Sequence, residues 1–190
     1  MSITIETHNL TRRFGDLVAV DQLDLAINSG EIFGLLGPNA AGKSTTIRLL
    51  AGILRPDSGE ASILGLNLFT QTELIKQRIG YVAQQFALYH DLTVYENITF
   101  YGGLYGVNDK PRFHELLELY DLTQFKNKNA GLLSGGYKRR LAIVCATTHD
   151  PELIFLDEPT AGIDPVTRKE LWDLFYSLAA NGKTLFVTTH

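Results

Sequence analysis

Three short stretches carry residue types that could do chemistry together. In GPNAAGKSTT (37–46), Gly37, Gly42, Lys43 and Ser44 fall at the spacing G-x-x-x-x-G-K-[ST]. Small residues let backbone N–H groups curl around a phosphate, and a following helix points its positive end at the same anion. Lys43 then supplies a point charge to the outer phosphates, and Ser44 a hydroxyl to Mg²⁺. LIFLDE (153–158) ends an apolar run in two carboxylates. Asp157 can reach the metal through water, and Glu158 can polarise an attacking water. In LSGGY (133–137), Ser134, Gly135 and Gly136 form a second helix start rich in N–H groups, again suited to phosphate. One phosphate loop serves one nucleotide, so the second anion-binding turn asks for an explanation.

The flanking patterns say what must position these groups. EIFGLL (31–36) is a short continuous apolar run, as a strand buried on both faces requires. KSTTIRLLAG after the loop reads as a helix closed by Gly52, with Pro56 beyond. Earlier, ITIET is β-rich and LVAVDQLDLAI alternates well enough for a hairpin-like pair; GEASILG and IGYVA (79–83) are further strands. From about residue 88 to 149 the pattern turns helical. PRFHELLELYDL sets Phe113, Leu116, Leu117 and Tyr120 on one face, and GGYKRRLAIVCATT continues as helix. LIFLD returns to strand, VTRKELWDLFYSLAA puts Leu171, Leu174, Phe175 and Leu178 on one helix face, and KTLFVTT is a last strand. Strand–turn–helix units on both sides of a helical block predict an α/β fold, a mainly parallel sheet with an inserted helical subdomain. Helices usually follow such a last strand to cover the sheet, so a C-terminal part is expected beyond His190.

Composition bounds the function. The chain has 190 residues, 45% hydrophobic and 20% charged, which suits one globular domain. A net charge of −4 does not indicate a broadly basic surface, so no nucleic acid is expected as partner. The short run Lys138, Arg139, Arg140 reads as a solvated helix face. Cys145, the single cysteine, cannot form a disulfide within the chain and reads as a buried structural thiol in a reducing compartment. The N-terminus lacks the build of a signal peptide, and no apolar run approaches the roughly 18 residues of a membrane span. A chain soluble by itself, able to dock on a membrane partner, is the expectation.

Taken together and in order, these motifs resemble the nucleotide-binding domains of ABC transporters over nearly the whole chain. GPNAAGKS resembles the family's Walker A motif, LIFLDEPT its Walker B motif, and LSGGY its signature. IGYVAQ resembles the strand leading to the Q-loop glutamine, Gln84; AGID resembles the D-loop, ending at Asp164; TTH ends at the switch histidine, His190. Phe14, in RRFG, stands where the family's aromatic residue stacks on adenine. The resemblance implies a P-loop NTPase fold whose core (1–84 and 150–190) carries an N-terminal antiparallel β subdomain, with a helical subdomain at about 85–149. It implies ATP and Mg²⁺ as cofactors, with Gly37, Pro38, Asn39, Ala40, Ala41, Gly42, Lys43, Ser44 and Thr45 around the phosphates. Ser44, Gln84 and Asp157 would serve the metal, Glu158 would be the general base, and His190 would hold the γ-phosphate. Two such domains pair head to tail in the family, as identical or different chains. Ser134, Gly135, Gly136 and Asp164 would therefore close over a partner's ATP, which explains the second anion turn. The helices near Gln84 would meet transmembrane permease domains at the cytoplasmic face of the membrane.

YGGLYGV, RIGYVAQQFALYHDLTVYENITF and LAIVCATTHDPELIFLDEPTAGIDP look most like ABC-2 type exporters of drugs or lipids. The alternatives are a non-transport ABC ATPase, such as a ribosome-associated factor, and a nucleotide sensor without turnover. Only about 50 residues separate Gln84 from Leu133, without sustained heptads, which disfavours a DNA-repair type with long coiled coils. Both carboxylates, Asp157 and Glu158, argue against a sensor. Two departures from the family stand out: Ala40 replaces a common glycine, and Tyr137 the usual signature glutamine. Ala40 is harmless at negative φ and costs about 1 kcal/mol or more in the left-handed region. ATP binding is expected to survive it, and a chain extending past His190 is expected to hydrolyse ATP faster than one ending there.

Overall fold

The computed structural model describes residues 2–190. Two long strands open it, β1 (Ile3–Phe14) and β2 (Leu17–Asn28), followed by β3 (Ile32–Leu36) and α1 (Lys43–Leu50). Next come β4 (Ser58–Ile63), β5 (Leu66–Asn67), α2 (Thr72–Arg78) and β6 (Ile79–Val82). A helical stretch holds α3 (Val94–Leu104), α4 (Lys110–Leu119) and α5 (Gly135–Thr147). The chain then returns through β7 (Leu153–Leu156), α6 (Pro165–Ala180) and β8 (Thr184–Thr189).

The strands form two sheets. One is antiparallel, in the order β2-β1-β4-β5; the other is parallel, in the order β3-β8-β7-β6. The hairpin anticipated near the N-terminus is thus one long pair, β1 with β2, and β2 runs unbroken through LVAVDQLDLAI. The short β5 and α2 were not foreseen.

The central strands explain why a continuous apolar run was the right signature. All four β7 residues are buried and alternate between two cores. Leu153 and Phe155 join Phe186 of β8 in a cluster with Ile5, Ile27, Ile47 and Leu50. Ile154 and Leu156 join Leu185 and Val187 in a cluster with Ile98, Phe113, Leu141 and Phe175. The α4 stripe packs as its spacing requires, with Phe113, Leu116, Leu117 and Tyr120 all buried. At roughly 1.5–3 kcal/mol per fully buried large side chain, that stripe anchors α4 to the second cluster. On α6, Leu171 and Phe175 are buried, while Leu174 and Leu178 are half-buried against the same cluster.

Cys145 is buried and free, and burial pushes its thiol pKa up, as an inert structural thiol requires. The basic run on α5 requires a correction. Arg139 is only 7% exposed; it donates to the carbonyls of Pro159 and Ala161, and its guanidinium lies 4.9 Å from the Phe86 ring centroid. Arg140 pairs with Glu170 and Asp121. Successive helix residues point about 100° apart, so the run cannot share one solvated face, and Arg139 falls on the inward one.

Candidate functional site

Register places the chemistry. Leu36 pairs with Thr189, Leu156 with Val187, and Val82 with Leu156, so all four parallel strands end along one edge of the sheet. Just beyond those carboxyl ends lie Gly37, Gln84, Asp157 with Glu158, and His190, an arrangement suited to ligands of open parallel sheets. The resulting cleft, about 530 Å³, is lined by Phe14, Asn39, Ala40, Gly42, Lys43, Ser44, Thr45, Gln84, Glu158 and His190, with Leu17 and Val18 at its rim.

The phosphate loop is tight. Gly42 has φ +81°, and a Cβ there would lie 2.1 Å from the Ala19 carbonyl oxygen of β2. Only glycine lets the loop pass that strand. Ala40, at φ +65°, also adopts the left-handed region, so its methyl carries the conformational cost set out above. Lys43 is buried, and its ammonium donates to Gly37 O at 2.8 Å and Pro38 O at 2.9 Å. Those carbonyls satisfy a charge that would otherwise be costly to bury. Glu158 Oε1 stands 3.7 Å from the same ammonium.

A second network joins the carboxylates to the loop. The hydroxyls of Ser44 and Thr188 both donate to Asp157 Oδ1, at 3.1 and 2.7 Å. Thr188 in turn accepts from the backbone N–H of Glu158 at 2.9 Å. Gln84 Nε2 donates to Glu158 Oε2 at 3.0 Å, and His190 Nδ1 lies 3.9 Å from that oxygen. Glu158 itself sits at φ +49°, a conformation a side-chain-bearing residue holds only when its surroundings impose it.

The donor set fits Mg²⁺–triphosphate. A hydroxyl, a carboxylate and an amide are the hard oxygen ligands Mg²⁺ accepts, usually completed by water and phosphate. Among the described residues no cluster of three His, Cys, Asp or Glu side chains forms an all-protein cage. Ser44, Asp157 and Gln84 could share the metal, and Lys43 with the loop amides the phosphates.

Phe14 lines the cleft and is 45% exposed, so ring surface is available for a base; the Arg12 guanidinium lies over the ring, 4.7 Å from its centroid.

The remaining sequence candidates lie elsewhere. Ser134, Gly135, Gly136 and Asp164 line a separate cleft of about 490 Å³ that shares no residue with the first. Ser134 precedes α5 with its side chain free of any cap bond, leaving the exposed first turn open to an anion. Asp164 caps α6, accepting from Val166 and Thr167 N–H, and its hydrogen bonds with Thr167 hold its carboxyl below the usual range. Tyr137 packs edge-on against Phe125 beside that cleft. Thr188 escaped the sequence reading. Its one signal was its place in the last strand, two residues before His190.

Residues 20–161 match the ABC transporter family. Over 189 residues the chain is 43% identical to the probable multidrug ABC transporter ATP-binding protein YbhF of Escherichia coli, covering 98% of this chain and 33% of that protein. It is 42% identical to Nod factor export ATP-binding protein I of Sinorhizobium fredii, over 99% of this chain and 56% of that protein. It is 40% identical to the bacitracin transport ATP-binding protein BcrA of Bacillus licheniformis, over 100% and 62%. The chain therefore spans between a third and about three fifths of these relatives. The fold matches MJ1267, an ATP-binding cassette of an ABC transporter in its ADP conformation, with TM-score 0.89 and 25% identity over all of this chain and 82% of that one. It also matches cbiO1 of Clostridium perfringens, with TM-score 0.88 and 27% identity over 100% and 79%. The family match over residues 20–161, relatives 40–43% identical over nearly the whole chain and the cassette fold place the chain in the ABC transporter family as an ATP-binding domain.

Proposed function

We propose that the chain binds Mg²⁺–ATP in the cleft at the strand ends and hydrolyses it to drive export across a membrane. The observation that supports this best is the meeting of Lys43, Ser44, Asp157 and Glu158 along one sheet edge. Lys43 exchanges the carbonyls of Gly37 and Pro38 for phosphate oxygens. Ser44 and Asp157 hold Mg²⁺, which when bound neutralises charge developing on the phosphates. Glu158 accepts the proton of the attacking water at its carboxylate, steadied by Gln84 Nε2, and His190 donates toward the γ-phosphate. Phe14 stacks on the adenine.

The second cleft, with Ser134, Gly135, Gly136 and Asp164, has no phosphate loop of its own. Its use requires a second ATP-binding domain, whose nucleotide it would cover. Near Gln84 an apolar groove of about 310 Å³, walled by Phe86, Tyr101, Tyr105 and Ala142, offers a seat for a transmembrane permease domain. No helix among the described residues is long and apolar enough to cross a membrane. Docking on such a partner would hold the domain at the cytoplasmic face. The relatives are named for multidrug, Nod factor and bacitracin transport, which favours an exporter over a ribosome-associated factor.

Glu158→Gln tests the reaction. General-base catalysis is worth about 10²–10⁴-fold, so turnover is expected to fall at least a hundredfold while ATP binding persists. Wild-type turnover by this variant would overturn the proposal.

A further inference from the structure

We propose that Thr188 is a positioning residue of the site, holding the metal carboxylate Asp157 and the backbone of Glu158 in one fixed relation. The inference rests on the ATPase reading above. Thr188 is fully buried, and its hydroxyl both donates and accepts: it donates to Asp157 Oδ1 at 2.7 Å and accepts from Glu158 N–H at 2.9 Å.

The register explains why a side chain is needed there. The β7–β8 ladder ends at Leu156 opposite Val187, while β8 continues beside β3 to Thr189. As the chain leaves β7, the Glu158 N–H has no strand partner. A buried amide without an acceptor is costly, and the Thr188 hydroxyl takes the place of the missing ladder bond. Glu158 turns out of the sheet at φ +49°, an orientation that an alternative backbone would relax. Its own carbonyl accepts from Ala161 N–H at 3.2 Å, so Thr188 fixes the start of that turn and Ala161 its close.

On the other side, Asp157 Oδ1 receives two hydroxyl donors, Thr188 and Ser44. The Ser44 bond must loosen or be shared when both residues turn to a metal. The Thr188 bond need not, since Thr188 is held in the β3–β8 ladder and is not among the residues that would serve the metal. Thr188 therefore sets the rotation of the Asp157 carboxylate whether or not metal is present. It lies two residues before His190, whose ring approaches Glu158 Oε2. One side chain of β8 thus bonds to both acidic residues.

The test is made in the full-length protein with Thr188→Val, Thr188→Ala and Thr188→Ser. Mn²⁺ affinity is read by electron paramagnetic resonance in the presence of a non-hydrolysable ATP analogue. Turnover is measured alongside, together with affinity for a fluorescent ATP analogue without metal. Losing a hydrogen bond to a charged group lowers Mn²⁺ affinity and kcat by about tenfold or more in the valine and alanine variants. Metal-free analogue binding stays within about twofold, because the loop amides and Lys43 are untouched. Serine, which keeps the hydroxyl, restores Mn²⁺ affinity and kcat. A purely structural role would lower all three readouts together, or lower stability alone. The alanine variant leaves space for relaxation and carries the test if valine does not fold. Valine and alanine variants with wild-type Mn²⁺ affinity, or a serine variant as impaired as they are, would overturn the assignment. A wild-type protein that neither binds the analogue nor turns over ATP would instead sink the ATPase reading, and this assignment with it.

Discussion

Replacing Ala40 by glycine removes one exposed methyl group and leaves every polar contact of the phosphate loop in place, so its effect can be worked from the backbone. Ala40 sits at φ +65°. Holding an L-residue in the left-handed region costs about 1–2 kcal/mol relative to the right-handed one, a cost glycine does not bear. Glycine gives back about 0.4–1 kcal/mol, because its unfolded chain has more conformations to lose. The balance favours Ala40→Gly by about 0.5–1 kcal/mol. For a domain of this size each kcal/mol moves Tm by about 2–4 °C, so a rise of about 1–4 °C is expected. Thermal unfolding without nucleotide reads it directly, and urea unfolding checks that the m-value is unchanged. Affinity for ATP should stay within about threefold, because Gly42, Lys43 and Ser44 are the same in both proteins. Ala40→Val serves as the control of opposite sign, since a branched side chain tolerates this region still less. A glycine variant that melts at or below the wild-type temperature would refute the reasoning. So would a wild type that fails to bind millimolar ATP and is rescued by glycine.

Two further substitutions probe other parts of the molecule. Gly42→Ala sets a Cβ 2.1 Å from the Ala19 carbonyl at φ +81°, so the loop must move off β2. We expect at least about 2 kcal/mol of destabilisation, and loss of nucleotide binding in a fluorescent-analogue titration. His149 titrates in the folded protein below its ordinary 6.5, chiefly because burial disfavours the charged ring, with Arg112 and Lys183 adding repulsion while the Ile79 carbonyl and Asp150 partly oppose. Its Nε2 meets Ile79 O at 3.0 Å, and its buried Nδ1 has no acceptor for a second proton. The unfolded chain takes up that proton first, so stability present above about pH 6.5 is lost as pH falls below it. His149→Gln should flatten urea-denaturation stability between about pH 6.5 and 5, and an unchanged slope would contradict the assignment.

Much of this architecture was legible because β7 is buried on both faces, which makes LIFL an unbroken apolar run. IFGLL is equally apolar, but β3 lies at the sheet edge and is not buried on both faces as expected; Leu36 is 71% exposed. The glycine-rich turn after it still marked a strand-to-helix loop. The α4 stripe was legible for the opposite reason, since its partners lie on one side only. The two-residue β5 and the seven-residue α2, whose only buried residue is Ile75, are too short for a period to show. Arg139 misled because a run of charge carries no sign of which member faces inward; that depends on where α5 lies against the Pro159–Ala161 turn. Whether Ala40 would have negative or positive φ was open for a similar reason. The structure sets it at +65°, two residues before Gly42, where the loop runs against Ala19 of β2. Thr188 was hidden because its partners become neighbours only through sheet register.

The edge position of β3 also bears on how the protein is made. Among the described residues its neighbour in the parallel sheet is β8, with Ile32 opposite Leu185, so the strand leading into the phosphate loop waits for roughly 150 further residues before it is paired. At ribosomal rates of about 5–20 residues per second that delay is about 10–30 s. Throughout it the nascent chain carries an apolar ribbon with both edges bare, the kind of segment chaperones shield. Nucleotide capture therefore waits for β8, and a chain arrested before β8 emerges lacks a complete pocket to fill.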